Sequence, residues 1–423
     1  MLELARIREQ KDDIIEKMKV RNADVASTLD KIIELDQNRR TTQQQLDDGL
    51  AEMNKLSKSI GQLFQQGKQE EANQMKEATA KLKDSTKAMK EELNQIENDL
   101  QMALYDVPNV PNPSVPAGNS DEDNEVVFDN EKAKDLPSDA IPHWELTKEY
   151  NLIDFELGVK ITGAGFPVYT GKGARLQRAL INFFLDEAIA AGYMEVTPPL
   201  LVNEASGYGT GQLPDKEGQM YHATVDDLYL IPTAEVPITN IFRGEIVNTA
   251  DLPLKRAGYT PCFRREAGSY GKDVRGLNRL HQFDKVEIVQ VVHPDKSYEV
   301  LDEMVAHVKG LLEKLELPYR IARLCGGDLG FTAALTFDME VYSAAQQKWL
   351  EVSSISNFET FQANRLKLRY REGDDKPALA HTLNGSALAL PRIMAALLEN
   401  NQTENGIKVP AALVKYTGFD LIN

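Results

Sequence analysis

The residues best suited to chemistry lie between Phe263 and Glu287, in the stretch FRREAGSYGKDVRGLNRLHQFDKVE. Arg264 offers a planar guanidinium that grips a phosphate and a carboxylate, so it is suited to holding two reacting groups while charge develops between them. Phe283 gives an apolar face for a purine ring, and Glu287 gives a negative charge for an ammonium group. The stretch is therefore suited to binding a nucleotide.

A hairpin of two antiparallel strands with a long basic loop is predicted to position these side chains. The loop carries Gly268, Gly271 and Gly276, and an alternating apolar run follows it. A charged surface hairpin with Phe283 in the core has the same residue types. The residues alone leave that alternative open.

Composition limits the function classes. The chain has 423 residues, which predicts two or more domains, and its net charge of −17 argues against general polyanion binding, so that any nucleic-acid contact must be local. Cys262 and Cys325 form neither a disulfide framework nor a cysteine-rich metal site, and they predict buried thiols in a reducing compartment. The sequence has no apolar signal segment or membrane-length run, so we expect a cytoplasmic protein without membrane contact.

A long helical arm is predicted from about Leu29 to Leu100, because this proline-free region repeats apolar residues at heptad spacing. Gly67 divides it into two helices that fold back as an antiparallel coiled coil, each on the order of 50 Å long. Polar residues interrupt the first apolar seam and predict an arm solvated on most sides. They are Asp36, Arg39, Gln43 and Ser57.

The turn of this arm is basic. Between Asn54 and Gln69 the sequence has Lys55, Lys58 and Lys68 and no acidic residue, a composition suited to a phosphate backbone. A solvated coiled coil used for dimerisation or as a spacer is the alternative. Four prolines between 108 and 116 then predict an extended linker, so we expect an arm over 1–106, a linker over 107–125 and a body over 126–423.

Three further segments of the body carry sequence patterns that indicate local structure or ligand binding. An amphipathic helix around Leu180 and Phe183 precedes a strand that is expected to end at Pro198 and Pro199. Glu351 and Ser354 place oxygen ligands three positions apart, which suits a hydrated magnesium ion on a triphosphate.

The last of these segments, HTLNGSALALPRIMAALLEN, runs from a strand with Asn384 and Ser386 into a helix opened by Pro391. Arg392 at that helix N-terminus is disfavoured by the dipole, so a bound anion would explain it.

The helix and strand before Pro198 and Pro199, the hairpin around Arg264 and the segment HTLNGSALALPRIMAALLEN resemble the first, second and third signature motifs of class II aminoacyl-tRNA synthetases. In detail they resemble the seryl-tRNA synthetase family, most closely its bacterial members. The triplet Thr233, Ala234 and Glu235, about thirty residues before Arg264, matches that family's TAE loop. The resemblance implies an α+β fold, with an N-terminal antiparallel helical coiled-coil arm before a class II core of antiparallel sheet flanked by helices. It also implies a homodimer that activates L-serine with ATP and charges tRNA(Ser), and tRNA(Sec) in selenocysteine biosynthesis.

The resemblance carries over an ATP site residue by residue. Arg264 would meet the α-phosphate and the serine carboxylate, and Arg392 the γ-phosphate, which makes these two the catalytic residues. Glu266 and Phe283 would hold adenine. Glu351 and Ser354 would hold Mg²⁺. The remaining ATP-binding positions are Arg265, Leu280, Val352 and Ser353.

The resemblance also implies a serine pocket. Glu287 would bind the ammonium group, and Ser386, with Asn384, would line the side-chain hydroxyl. The TAE residues Thr233, Ala234 and Glu235 would border the pocket.

The chain departs from the family pattern at Arg265, where serine is commoner, and at Leu390. Two other function classes stay open: a paralogue that adenylates an amino acid for a carrier protein, and an inactive scaffold that binds through its coiled coil. The full-length arm argues against the first, and the intact motif residues argue against the second.

Overall fold

The computed structural model describes residues 1–137, 139–266 and 275–423. The predicted loop glycines Gly268 and Gly271 lie outside these residues. The chain divides into two compact units, the first formed by Met1–Met18 and Ala23–Pro108 and the second by Lys19–Asn22 and Asn109–Asn423. Within the described residues, no helix combines the length and the apolar character needed to cross a bilayer. The boundaries 106 and 125 stay a prediction.

The first unit is a helical arm, as predicted. It contains α1 (Leu4–Met18), α2 (Ala26–Gln65) and α3 (Gln69–Tyr105). At ~1.5 Å per residue, α2 and α3 are each somewhat longer than the expected 50 Å. Gly67 makes the turn with φ +75°, and the N–H of Lys68 donates to the carbonyl of Leu63 at 3.0 Å, so the end of α2 is closed by a left-handed glycine.

Of the polar residues that interrupt the first apolar seam, Asp36 is buried, contrary to the expected solvated seam. Asp36 on α2 is fully buried and pairs with Arg8 of α1 at 2.7 Å and with Arg39 at 2.9 Å. The helix α1, which the heptad pattern did not include, provides the partner that makes this burial possible. A buried carboxylate with two charge-assisted hydrogen bonds fixes α1 against α2.

The second unit carries nine further helices in its described residues. They are α4 (His143–Glu149), α5 (Phe155–Ile161), α6 (Gly171–Ala190), α7 (Glu204–Thr210), α8 (Glu235–Asn240), α9 (Ser297–Lys314), α10 (Thr360–Leu366), α11 (Leu390–Asn400) and α12 (Ala411–Thr417). The helices predicted around Leu180 and after Pro391 are confirmed as α6 and α11, and Pro391 lies in the first turn of α11.

The strands of this unit are short outside one large sheet. They are β1 (Glu125–Asp129), β2 (Ile153–Asp154), β3 (Val168–Tyr169), β4 (Met194–Glu195), β5 (Leu201–Asn203), β6 (His222–Ala223), β7 (Leu228–Leu230), β8 (Ile246–Asn248), β9 (Leu254–Phe263), β10 (Gln282–Val292), β11 (Tyr319–Arg323), β12 (Leu335–Ser343), β13 (Lys348–Asn357), β14 (Arg369–Arg371), β15 (Ala378–Leu379), β16 (His381–Ala389), β17 (Gln402–Thr403), β18 (Gly406–Lys408) and β19 (Leu421–Ile422).

An eight-stranded sheet positions the site, in the order β1-β11-β12-β13-β16-β10-β9-β4. Every neighbouring pair is antiparallel except β4 and β9, which are parallel. The helices α6, α9 and α11 supply the core through side chains such as Phe184, Met304 and Ile393, which pack with Ile288 of the sheet. The predicted α+β fold with an antiparallel sheet is confirmed.

The strand after α6 is shorter than predicted. It covers only Met194–Glu195, whereas the sequence led us to expect it to continue to Pro198 and Pro199. The N–H of Val196 still donates to the carbonyl of Ala257 at 2.8 Å, but a proline has no N–H to donate, so pairing stops before the prolines.

Candidate active site

The hairpin of β9 and β10 holds Arg264 at its loop end, as the sequence predicted. Gln282 pairs with Phe263, and beyond that pair the N–H of Arg264 donates to the carbonyl of His281 at 2.9 Å. The side chain of Arg264 donates from Nε to the carbonyl of Pro232 at 3.3 Å, and its guanidinium lies 5.2 Å from the centre of the Phe283 ring. A backbone hydrogen bond and two side-chain contacts therefore fix the position of Arg264.

The residues on either side of Arg264 and Phe283 lie on the same end of the sheet. Arg265 donates its N–H to the carbonyl of Gln219 at 2.8 Å, and Glu266 pairs with Arg279 at 3.3 Å. Leu280 is buried in the main apolar core. Charged and apolar groups thus both occur at the end of the hairpin that carries Phe283, and such a mixture suits a nucleotide base and its phosphates.

A buried charged cluster lies further along β10. Lys285 pairs with Glu287 at 2.6 Å and donates to the hydroxyl of Thr233 at 2.8 Å, and that hydroxyl donates to Glu287 at 3.3 Å. Both charged side chains are almost fully buried. Since residues two apart on a strand share a face, β10 places Phe283, Lys285 and Glu287 side by side.

Glu235 adds a second carboxylate to this cluster. It accepts a hydrogen bond from Gln362 at 2.7 Å and another from Asn384, and only 8% of its surface is exposed. Burial, followed by the negative charge of Glu287, raises the pKa of Glu235 to about 7. The cluster therefore combines two carboxylates with the single ammonium group of Lys285.

Strand β16 completes this pocket. Ser386 lies directly opposite Glu287, and Asn384 lies opposite Val289. Opposed residues on paired strands point to the same face, so Ser386 shares the face of Glu287. The buried Ala234 precedes α8 and places Glu235 at the start of that helix. The structure thus brings together all the residues predicted for the serine pocket.

A β-bulge brings Glu351 and Ser354 onto one face of β13. Residues three apart normally face opposite sides of a strand, but Val352 is skipped in the pairing with β12, so that Met339 pairs with Ser353 and Glu340 with Glu351. Ser353 is buried and donates its hydroxyl to the carbonyl of Ser386 at 2.5 Å.

Asp338 of β12 joins Glu351 and Ser354. It pairs with Ser354 in register, and its buried Oδ1 atom has no hydrogen-bond partner. Burial is the main cause that raises the pKa of Asp338 well above its ordinary value, and the negative charge of Glu351 raises it further. The hydrogen bond from Ser354 lowers this pKa, but by less. The two carboxylates repel each other, and a divalent cation would relieve that repulsion with the hydroxyl oxygen as a further ligand. Within the described residues, no cluster has three or more His, Cys, Asp or Glu side chains arranged to hold a metal.

Arg392 approaches Glu351 from the first turn of α11. Its guanidinium donates to the carbonyl of Glu351 at 2.6 Å and lies 3.5 Å from the carboxylate of that residue. It also donates from Nε to the carbonyl of Asn278 at 3.3 Å. Arg392 therefore lies between β13 and the segment that leads into β10.

Comparisons with known protein families match both units. Residues 1–111 match the seryl-tRNA synthetase N-terminal domain, and residues 220–401 match the tRNA synthetase class II core domain (G, H, P, S and T). The serine–tRNA ligase of Salinibacter ruber is 51% identical over 421 residues, which cover 99% of this chain and 98% of that protein. This chain belongs to the seryl-tRNA synthetase family.

Other members of the seryl-tRNA synthetase family agree over the full length. The serine–tRNA ligase of Chlorobaculum parvum is 46% identical and is covered, like this chain, over 100% of its length. The crystal structure of seryl-tRNA synthetase from Pyrococcus horikoshii complexed with ATP has a TM-score of 0.90 at 32% identity, covering 100% of this chain and 99% of that one. The predicted aminoacyl-tRNA ligase class is confirmed at the level of the family.

Three site residues of this synthetase were not predicted from the sequence. Lys285 could have been found, because it lies two residues before Glu287 and shares its strand face. Asp338 and Gln362 had no such signal, since Asp338 meets Glu351 only through strand pairing and Gln362 reaches Glu235 from α10.

Glu235 predicts a pH dependence of stability. Because the pKa of this carboxyl is about 7 when folded and near 4.5 when unfolded, its favourable contribution is complete below about 4.5 and is lost as pH rises through 7. The free energy of unfolding of the wild type, relative to Glu235→Gln, should therefore fall by on the order of 2 kcal/mol between pH ~5.5 and ~8.5. Urea denaturation of both proteins at several pH values measures this difference.

The raised pKa of Glu235 would be contradicted if the difference in the free energy of unfolding between the wild type and Glu235→Gln did not change with pH.

Proposed function

We propose that this protein is a serine–tRNA ligase that forms seryl-adenylate and pyrophosphate from L-serine and ATP and then transfers the seryl group to the 3′ end of tRNA(Ser). The observation that carries the proposal is the charge of the buried pocket. Glu235 and Glu287 supply two carboxylates, whereas Lys285 supplies one ammonium group. The ammonium group of an amino acid provides the second positive charge.

The small polar side chains of the pocket favour serine. Ser386 and Asn384 are both buried on the face of β10 and β16 that carries Glu287, and they offer hydrogen bonds to a substrate hydroxyl. A substrate without that hydroxyl would leave buried polar groups unpaired, which is a strong basis for rejecting alanine and glycine.

The ATP side uses the residues around Phe283. Adenine would lie on Phe283 with Glu266 as its hydrogen-bond partner, and Leu280 and Arg265 would complete this subsite. Arg392 would meet the γ-phosphate. Glu351 and Ser354, joined by Asp338, fit Mg²⁺, since the buried orphan oxygen of Asp338 lacks a partner, and the ion would neutralise charge on the triphosphate. Exchange activity that persisted in excess chelator would refute the need for this ion.

Adenylate formation needs no protein nucleophile. A serine carboxylate oxygen attacks the α-phosphorus, the new O–P bond forms, and the bond to the β-phosphate bridging oxygen breaks with pyrophosphate as leaving group. Arg264 would hold the carboxylate and the α-phosphate together and balance the charge that builds up on the phosphorus oxygens. In the second step a terminal ribose hydroxyl attacks the seryl carbonyl, and AMP leaves.

The arm supports recognition of tRNA. Lys55, Lys58 and Lys68 near the α2–α3 turn are exposed in an otherwise acidic chain, and such a turn fits a phosphate backbone. The acceptors would be tRNA(Ser) and also tRNA(Sec), and failure to charge a tRNA(Sec) transcript would remove the second. The proposed arm, linker and core span residues 1–106, 107–125 and 126–423.

A homodimer and a cytoplasmic location complete the proposal. The strand β4 lies at an edge of the large sheet, and its Met194 is 59% exposed, with Leu200 and Leu201 also exposed close by in sequence. Apolar groups at an open sheet edge fit a partner subunit, so a monomer in sedimentation analysis would refute the dimer. The cytoplasm supplies ATP and tRNA, and the two cysteines are free thiols.

Serine-dependent ATP–pyrophosphate exchange tests the adenylation step. The wild type should exchange with serine and much less with alanine or glycine. Arg264→Ala should lower kcat/KM for exchange by at least about 10²-fold, because it removes a group aimed at charge that develops in the transition state.

The matched control is Arg323→Ala, which removes a guanidinium paired with Glu125 on β11 and β1. It should exchange like the wild type. Wild-type exchange by Arg264→Ala would refute the site assignment. Exchange without tRNA charging would favour the carrier-protein paralogue, and a wild type without any exchange would favour the scaffold.

Deleting residues 37–94, with a short linker in their place, should separate the two steps. Exchange should stay within about twofold of the wild type, while charging of total tRNA should fall by at least about 10²-fold, since several phosphate contacts are lost together. A triple variant with Lys55, Lys58 and Lys68 changed to glutamate controls for gross deletion effects. It should keep exchange and lose charging, and full charging by either variant would refute the tRNA role of the arm.

A further inference from the structure

His143 is a fully buried histidine at the first position of α4, outside the residues considered so far. Its Nδ1 atom lies 2.6 Å from Oε1 of Glu399, and its Nε2 atom accepts a 2.8 Å hydrogen bond from the backbone N–H of Leu277. A backbone N–H only donates, so Nε2 carries no proton and the imidazole proton lies on Nδ1. His143 thus accepts at Nε2, and its orientation is set by Glu399.

Both carboxylate oxygens of Glu399 accept hydrogen bonds. It accepts from the hydroxyl of Ser343, from the N–H of His143 at 3.0 Å and from Gln346 at 3.3 Å. Burial raises the pKa of Glu399, but the hydrogen bonds from His143 and Ser343 outweigh it, and the pKa lies below its ordinary value. The carboxylate is ionised and cannot donate, which fixes the direction of its bond to His143.

Helix α4 contacts the segment 275–280 at three consecutive positions, 275, 276 and 277. Besides the bond to Leu277, the guanidinium of Arg275 lies 4.7 Å from the centre of the Trp144 ring and pairs with Glu145 at 3.2 Å. Gly276 between them has φ +65°, and a Cβ atom there would lie 2.2 Å from Nε2 of His143. The approach of backbone to imidazole therefore requires glycine.

The segment 275–280 carries groups of the nucleotide side of the site. Arg279 pairs with Glu266 at 3.3 Å, and the carbonyl of Asn278 accepts from Nε of Arg392 at 3.3 Å. The side chain of Asn278 donates to Gln346 at 2.8 Å, and Gln346 donates to Glu399. Two hydrogen-bonded routes thus connect Glu399 to this segment, one through His143 and one through Gln346.

We propose that His143, oriented by Glu399, is a positioning residue for ATP: it fixes the segment 275–280 and, through the carbonyl of Asn278, the guanidinium of Arg392. The serine pocket is held separately, since Lys285 and Glu287 are fixed by Thr233 and by the pairing of β10 with β9 and β16. Loss of the His143 contact therefore affects ATP more than serine. This inference rests on the proposed serine–tRNA ligase function.

His143→Asn tests the contact in the full-length protein. The asparagine amide can replace the donor to Glu399, but it has no acceptor that reaches Leu277. The KM for ATP in serine-dependent exchange should rise about tenfold, as expected for one buried hydrogen bond, while the KM for serine stays within about twofold. The Kd for a non-hydrolysable ATP analogue, measured by calorimetric titration, should rise by the same factor.

Two variants serve as controls. Thr147→Val removes a buried hydroxyl of the same helix, α4, which donates to the carbonyl of Trp144 and touches neither Glu399 nor Leu277, so it should lower the melting temperature without changing the KM for ATP. His143→Gln keeps an oxygen that can accept from Leu277, and it should restore part of the ATP affinity that His143→Asn loses.

The outcomes separate this inference from the proposed function. A wild type without serine-dependent exchange refutes the function, whereas unchanged ATP affinity in His143→Asn, or equal rises of both KM values, overturns only the positioning role. If His143→Asn does not fold, Gly276→Ala tests the same contact from the other side, because its Cβ displaces the imidazole. It should produce the same selective loss of ATP affinity, and a variant with wild-type ATP affinity overturns the inference.

Discussion

The burial of two carboxylates beside one ammonium group is the constraint on which the rest of the site depends. Lys285 pairs with Glu287 at 2.6 Å, and Glu235 lies close enough that the charge of Glu287 helps to raise its pKa to about 7. Taking such charges out of water costs several kcal/mol per ion. The raised pKa shows that the lysine offsets only part of this cost. In the proposed function, the ammonium group of the substrate would offset the remainder, so the buried charges would favour binding of an amino acid.

The antiparallel sheet satisfies this constraint and adds the nucleotide side. Strand β10 places Phe283, Lys285 and Glu287 on one face, with β16 on one side and β9 on the other. The bulge in β13 then turns Glu351 toward Ser354 and Asp338, where Arg392 reaches it from α11. The groups proposed for the amino acid and for the nucleotide thus lie on hydrogen-bonded strands of one sheet, which suits catalysis by positioning.

Local patterns were predictable from the sequence, and long-range contacts were not. The hairpin around Arg264 and the helix opened by Pro391 follow from turn residues, alternation and helix-start signals, and the structure contains both. The bulge beside Glu351 has no local signal, because it depends on how β12 pairs with β13. His143 meets Glu399 across 256 positions of sequence, so a pattern within one element cannot reveal it. The assignment of roles at the site came from family resemblance and stays a proposal.

Proton release on serine binding tests the central claim most directly. If the substrate ammonium compensates Glu235, the pKa of that carboxyl must fall on binding, so at pH ~7 about half a proton should be released per site. Calorimetric titration of serine in buffers of different ionisation enthalpy, with a non-hydrolysable ATP analogue present, measures this number. Our account predicts release by the wild type and none by Glu235→Gln. Equal release by both proteins, or no release by the wild type at pH 7, would contradict it.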